Sequence, residues 1–240
     1  MSPALAIAGR EYRALFRVPV GWVTIALFLL LTGIVFALTI LVPGQPASLE
    51  RFFAVSGWLL LPVAPAVSMR LFSEEYRSGT IESLATAPVG DGAVVAGKFL
   101  GGAAFLLTLL GPTLVYVLIL VPGAEPAPDP GPIVAGYLCL VLVGLLFLSI
   151  GLVASALTGS QTLAFLSTLF VLLGLLLVSS LTGGVLPESA SRVVRWASIT
   201  PRIADFARGV VDTRHVVFFL AWTFWFLVMA RVVVRSRRWR

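Results

Sequence analysis

Ionisable side chains are confined to a few short strips of this chain. Four long stretches contain no Asp, Glu, Lys or Arg; they lie between Arg17 and Glu50, between Arg51 and Arg70, between Lys98 and Glu125, and between Asp129 and Glu188. A helix of about 20 mostly apolar residues crosses the ~30 Å hydrocarbon layer, and a charge at its centre costs about 2.5 to 3.5 kcal/mol. The pattern therefore predicts an all-α, polytopic membrane protein.

Turn residues divide the apolar stretches into six predicted transmembrane helices. Proline and glycine at 43–46 end the first, Pro122 ends the third, and the turn at 158–161 divides a stretch that is too long for one crossing. The second contains Pro62 and Pro65 and is predicted to be kinked. The predicted spans are residues 20–42, 52–72, 95–121, 133–157, 162–181 and 216–234.

The residues before the first span have the pattern of an amphipathic helix that lies in the membrane interface, predicted for residues 1–18. Apolar and basic positions alternate at helical spacing; the apolar set is Leu5, Ala8, Tyr12 and Leu15, and the basic set is Arg10, Arg13 and Arg17. These charges leave no compact apolar stretch that ends in small residues, so no cleavable signal peptide is predicted. A charged tail without fixed structure is the alternative interpretation.

Six spans place both termini on one side of the membrane, and the basic residues indicate which side. With the termini in the cytoplasm, eleven basic residues lie inside and six lie outside, the latter being Arg51, Arg192, Arg195, Arg202, Arg208 and Arg214. Because cytoplasmic strips carry the excess of Lys and Arg, both termini are predicted to be cytoplasmic.

Composition narrows the class of function. The chain has 240 residues, of which 59% are hydrophobic and 12% charged, so it has no room for a further soluble domain. The net charge of +6 comes from Arg residues that flank apolar runs, which indicates membrane anchoring and not nucleic-acid binding. One cysteine, Cys139, and one histidine, His215, give neither a disulfide framework nor a metal site. The spans carry no ionisable group near their centres, which argues against a proton-coupled carrier.

The strip between the second and third spans, residues 73–95, is the most specific local signal. It begins with the acidic pair Glu74 and Glu75, and Gly79 and Thr80 can start a short helix that ends before Pro88. Arg70 and Glu74 are four residues apart and are predicted to pair at the end of the second span. Such a capped helix between two spans suits docking in a groove of a soluble partner. A solvated connecting loop fits the same residues, and physics alone leaves both interpretations open.

Two motifs resemble a known family. The order of acidic pair, Gly-Thr, apolar residue, Glu, Leu and Pro, followed by Gly97 and Lys98, resembles the signature of type-2 ABC transporter permeases, the exporter-class membrane subunits that work with a separate ATPase. The stretch from Phe206 to Asp212, with Phe-Ala-Arg-Gly-Val and then Asp before the last span, is similar to the permease of the gliding-motility-associated ABC transporter.

The resemblance implies a single permease domain over 1–240 that docks on a cytoplasmic ABC ATPase through a coupling helix at 80–87. The implied docking residues are Glu74, Glu75, Gly79, Thr80, Ile81, Glu82, Leu84 and Pro88. The loop at 183–214 would form short outer helices, marked by Phe206, Arg208, Gly209 and Asp212. The chain itself would have no catalytic residue, metal or cofactor, and ATP and magnesium would bind the ATPase.

The same resemblance implies the cytoplasmic (inner) membrane of a bacterium as the location. Further partners would be a second permease copy or a homologous permease, membrane lipid, and an extracytoplasmic accessory protein. The substrate stays open, because hydroxyls such as those of Tyr116 and Tyr137 are compatible with a lipid, a glycan, a peptide or a small hydrophobic molecule.

A membrane scaffold or mechanical subunit of an ATPase-driven complex, which moves no solute, is the alternative function. A stand-alone channel is a third interpretation, but no span shows a sustained polar stripe.

Overall fold

The structure is a computed structural model that describes residues 2–40, 48–80, 89–123, 128–180 and 198–237. These residues form helices and short turns, and no strand occurs among them. The predicted all-α fold is therefore confirmed. Of the predicted docking helix at 80–87 only Thr80 is described, and residues 183–197 of the predicted outer loop at 183–214 lie outside the described residues.

The described residues contain ten α-helices, and a short 3₁₀ turn at Gly111–Thr113 separates two of them. In chain order the helices are α1 (Pro3–Arg17), α2 (Pro19–Thr39), α3 (Glu50–Ser68), α4 (Ser73–Ser78), α5 (Asp91–Leu110), α6 (Leu114–Gly123), α7 (Pro130–Leu157), α8 (Gln161–Ser180), α9 (Thr200–Ala207) and α10 (Thr213–Arg237).

Within the described ranges, six helical stretches are long and apolar enough to cross a membrane, as predicted. They are α2, α3 with α4, α5 with α6, α7, α8 and α10. The second stretch continues through Pro62 and Pro65, and the third changes to 3₁₀ geometry at Pro112, a change that the apolar pattern did not reveal. The predicted break near 158–161 separates α7 from α8.

α7 is the central helix of the bundle, and it packs against α3, α5, α8, α9 and α10. Glycines on α7 allow large neighbours to approach closely: a β-carbon at Gly136 would lie 2.3 Å from the Phe53 ring, and one at Gly144 would lie 2.4 Å from Leu106. Because lipid tails are as apolar as leucine, helices in a bilayer associate through such close packing.

α1 packs across the first half of α5, and two glycines of α5 that are four residues apart allow this close contact. A β-carbon at Gly97 would lie 2.7 Å from the carbonyl oxygen of Ala4, and one at Gly101 would lie 2.7 Å from Cβ of Glu11. Leu15 near the end of α1 is buried, whereas Leu5 is 54% exposed. The small pair therefore serves packing within the chain.

The two ends of the bundle differ. We call one of them the terminal end. It is formed by α1, α4, the start of α5, the turn between α7 and α8, and the last residues of α10. The opposite end gathers the start of α3, the start of α7, and the segment from α9 into α10. Both described chain ends lie at the terminal end, as an even number of crossings requires.

We expect Gly101→Ala to destabilise the protein by about 1 to 3 kcal/mol, because the new methyl group would overlap α1. Gly174→Ala is the matched control, since a β-carbon at Gly174 has nothing within 4 Å. Thermal unfolding of the detergent-purified variants measures the difference. Equal melting temperatures for the two variants would contradict the packing of α1 on α5.

Candidate docking and coupling site

α4 carries the predicted acidic pair at the terminal end. It begins at Ser73, and Glu74 and Glu75 lie in its first turn, where negative charge is favourable next to the free N–H groups. Gly79 ends the helix with φ of 71°, a left-handed conformation that glycine adopts without a side-chain penalty. Gly79 thus terminates one helix. The residues after Thr80 lie outside the described part of the chain, and these include the predicted docking residues Ile81, Glu82, Leu84 and Pro88.

One serine of α7 fixes the start of α4. The Ser155 hydroxyl accepts hydrogen bonds from the backbone N–H groups of Phe72 and Ser73, at 3.0 and 3.1 Å, and it donates to the Met69 carbonyl oxygen at 3.0 Å. These backbone groups lie where α3 has ended, and Ser155 supplies partners at this buried turn.

Four alternating charges join α1, α4 and α5; we call this set, Arg10, Glu11, Glu75 and Lys98, the ion quartet. Lys98 Nζ lies 2.9 Å from Glu75 Oε1 and 3.1 Å from Glu11 Oε1. Nη2 of Arg10 lies 2.8 Å from the same Glu75 oxygen and 2.9 Å from the same Glu11 oxygen. The quartet has no net charge, and each carboxylate contacts both cations.

The Lys98 side chain is only 1% exposed, and Glu11 and Glu75 are 13% and 14% exposed. The Lys98 ammonium also lies 5.0 Å from the centre of the Phe72 ring. An ammonium removed from water costs several kcal/mol unless it is paired and hydrogen-bonded, so the carboxylates are required. At Arg10, burial lowers the guanidinium pKa, but the carboxylates of Glu11 and Glu75 outweigh it and raise the pKa.

Sequence reasoning named Glu75 and Lys98 in the motif but did not predict that they pair, and it did not assign Glu11 a role. The sequence feature that indicates such pairing is Lys98 itself, a lone cation inside the predicted third span, 95–121. Such a residue needs a carboxylate partner. Only the three-dimensional arrangement identifies which of the eleven acidic residues supply it.

The other acidic residue of the pair faces solvent. Glu74 is 48% exposed and accepts two hydrogen bonds from Arg70, from Nε at 2.9 Å and from Nη2 at 2.6 Å. Their spacing of four residues predicted this pair. Arg77 and Ser78 on the same short helix are also exposed, so α4 presents a polar face next to the quartet.

The last residue of α10 contacts both α4 and α7. The Arg237 guanidinium lies 4.7 Å from the centre of the Tyr76 ring and donates a hydrogen bond to the carbonyl oxygen of Leu157, the last residue of α7. A helix leaves its final carbonyl groups without helical partners, and a cation there is favourable. Three helices therefore meet at one side chain.

At the opposite end, α9 and the residues after it hold the second predicted motif. Phe206 is fully buried. Arg208 is exposed, and its Nε lies 3.2 Å from Oε1 of Glu50 at the start of α3. Gly209 has φ of 86°, and a β-carbon there would lie 3.0 Å from Pro132. The Asp212 carboxylate accepts the backbone N–H of Arg214 at 2.8 Å and so caps α10.

The tyrosine hydroxyls that sequence analysis considered for substrate contact are bonded within the chain. Tyr116 donates to the Leu29 carbonyl oxygen at 3.1 Å, and the Tyr137 hydroxyl lies 3.1 Å from Oγ1 of Thr113. An apolar recess of about 260 Å³ lies between α2, α3 and α8, and its lining includes Phe28, Pro62 and Phe165.

The sequence model described as ABC-2 family transporter protein matches residues 5–235 of this chain. The chain therefore belongs to the ABC-2 family of transporter proteins, and it is a multi-pass membrane subunit of an ABC transporter. The match identifies the broad family, and the gliding-motility-associated branch stays a prediction. No curated protein matched the chain.

We expect Lys98→Met to destabilise the protein by about 3 to 5 kcal/mol, because it leaves two poorly exposed carboxylates with one cation fewer. Arg70→Met is the matched control and should cost about 1 kcal/mol or less, since its partner Glu74 is half exposed. Thermal unfolding in detergent measures both. Adding Glu75→Gln to Lys98→Met should recover part of the loss. An equal cost for the two single variants would rule out a special role for the quartet.

Proposed function

We propose that this chain is the permease subunit of an ATP-driven exporter and that its segment 73–95 docks on a separate cytoplasmic ABC ATPase. The observation that carries the proposal is the position of α4. Its outward face presents Glu74, Arg77 and Ser78, while its other side contacts four further helices, α1, α5, α7 and α10. A partner that moves this segment would move the ends of those helices with it.

The two residues of the acidic pair have different tasks in this proposal. Glu74 is half exposed and available to a partner, together with Gly79, Thr80 and the residues that follow. Glu75 is bonded to Lys98 and Arg10, so we assign it the task of holding the docking segment to α1 and α5. Docking and force transmission are thereby divided between neighbouring side chains.

The terminal end is cytoplasmic in this proposal, and the opposite end, with α9, faces outward. The excess of basic residues in the strips of the terminal end supports this orientation. α1, packed on α5 beside the quartet, would lie at the cytoplasmic membrane interface, with exposed Arg13 and Arg17 near lipid headgroups. ATP and magnesium would bind the ATPase, and a second permease copy or a homologue would complete the pathway.

The first test is purification of this chain in mild detergent with whatever ATPase accompanies it. We expect a stoichiometric ABC ATPase that hydrolyses ATP, and we expect Glu82→Lys to abolish its retention, because the reversed charge lies in the docking segment. Arg13→Glu, a charge reversal on exposed α1, is the control and should retain the ATPase. Purification of the parental chain without any ATPase would refute the proposal.

The exporter and the scaffold differ in how a solute affects ATP turnover. If ATP hydrolysis by the reconstituted complex responds to none of a panel of lipid-linked, glycan and peptide solutes, while the ATPase stays bound, the mechanical subunit becomes the better function.

A second test concerns orientation. A cysteine replacing Ser78, which is exposed at the end of α4, should react with a membrane-impermeant maleimide only when the cytoplasmic side is accessible. A cysteine replacing Val210, which is 57% exposed at the opposite end, should react from outside intact cells. The reverse pattern would invert the topology and remove the docking segment from the ATPase side.

A further inference from the structure

α10 has a sequence property that the other five spans lack: it contains neither glycine nor proline over its 25 residues. Every other span has at least one, namely Gly33 in α2, Pro62 in α3, Pro112 between α5 and α6, Gly144 in α7 and Gly174 in α8. Kinks and local bending of helices concentrate at such residues. α10 therefore has none of these sites of bending, and its 25 residues at 1.5 Å each make it about 38 Å long.

The terminal end of α10 is fastened to the docking segment through Arg237. Its guanidinium covers the Tyr76 ring on α4 and caps α7 at the Leu157 carbonyl oxygen. Six residues earlier on α10, Nε of Arg231 lies 3.6 Å from the position that a β-carbon would take at Gly92, near the start of α5. Displacement of α4 therefore reaches α10 directly.

The other end of α10 is fastened to α9. Five residues, 208–212, connect the two helices. The Arg202 guanidinium on α9 lies 3.6 Å from the centre of the Phe218 ring on α10, and the rings of Phe206 and His215 lie 6.1 Å apart. α9 itself is held between α3, α7 and α8. A shift of α10 along its axis therefore acts on the short helix at the opposite end.

We propose that α10 is a rigid strut that carries displacement of α4, at the terminal end, to α9, at the opposite end. Arg237 is the positioning residue that fastens the terminal end of α10 to α4. The inference rests on the proposed function only for the source of the displacement, the docked ATPase. α7 has the length to serve the same purpose, but it carries four glycines, Gly131, Gly136, Gly144 and Gly151, and it is enclosed by neighbours, so we assign this role to α10.

The first experiment needs no ATPase. The purified chain in detergent, with buried Cys139 replaced by alanine, carries one reporter cysteine at Val210, in the connection between α9 and α10. We expect Arg237→Met to change the maleimide labelling rate at Val210→Cys by about threefold or more. The reason is that the connection 208–212 opens more readily once α10 is no longer held by Arg237. Arg235→Met, an exposed arginine on the same helix turn, is the matched control.

A second reporter separates the strut from general loosening. Ser48→Cys lies at the opposite end of the bundle on the segment before α3, and its labelling rate should not change with Arg237→Met. Equal rates at Val210→Cys for Arg237→Met and Arg235→Met would overturn the strut. An increase at both reporters would overturn it as well, since the protein would then have loosened throughout.

The second experiment uses the complex with its ATPase in liposomes. ATP with magnesium should change the labelling rate at Val210→Cys in the parental protein, and Arg237→Met should abolish this change while the ATPase stays bound and active. Tyr76→Phe keeps the ring under the guanidinium and should behave as the parent, whereas Tyr76→Leu should behave as Arg237→Met.

The outcomes distinguish the two proposals. Absence of an ATPase from the purified complex refutes the proposed function, and the detergent experiment then still decides whether α10 is a strut. A bound, active ATPase combined with an equal nucleotide response in the parent and in Arg237→Met would overturn the strut and leave the docking proposal standing. A parental response at Val210→Cys that is lost only in Arg237→Met and Tyr76→Leu supports it.

Discussion

The rest of the terminal end depends on the neutralisation of one buried lysine. Lys98 is 1% exposed, and its partners Glu75 and Glu11 come from two other helices. Because an unpaired buried charge costs several kcal/mol, these helices cannot separate without a large penalty. The quartet therefore fixes where α1 lies and how α4 is turned. Glycines at 97 and 101 complete this arrangement, since they allow α1 to approach α5 closely enough for the charges to meet.

A different kind of contact holds the bundle between its ends. The hydrophobic effect does not drive helices together inside hydrocarbon, so close packing and internal hydrogen bonds take its place. Gly136 and Gly144 on α7 receive Phe53 and Leu106, and Ser155 satisfies three backbone groups at the end of α3. Hydroxyls elsewhere bond to carbonyls of their own helix, as Thr32 does to Phe28. The polar groups of the spans are thus largely used to hold the structure.

The two ends of the bundle differ in their chemistry. The described residues place charged, paired side chains at the end where the termini lie, and at the other end the short helix α9, of which only Phe206 and Ala207 are buried. The quartet and the Arg237 contact gather four helices around a six-residue segment, α4. This geometry supports the proposal that a partner acts on the rest of the chain through α4.

The sequence by itself determined the number and approximate bounds of the spans, because a bilayer demands long uncharged helices and each charge or turn residue marks a limit. It also predicted the pair of Arg70 and Glu74, since residues four apart meet on any helix. The 3₁₀ turn at Gly111–Thr113, the helix at 73–78 and the seat of α1 on Gly97 and Gly101 were not predicted. Only the tertiary structure decided that Glu75 turns toward Lys98 and Arg237 toward Tyr76. These pairs join residues far apart in the chain, and which distant helix ends become neighbours depends on how the whole bundle packs.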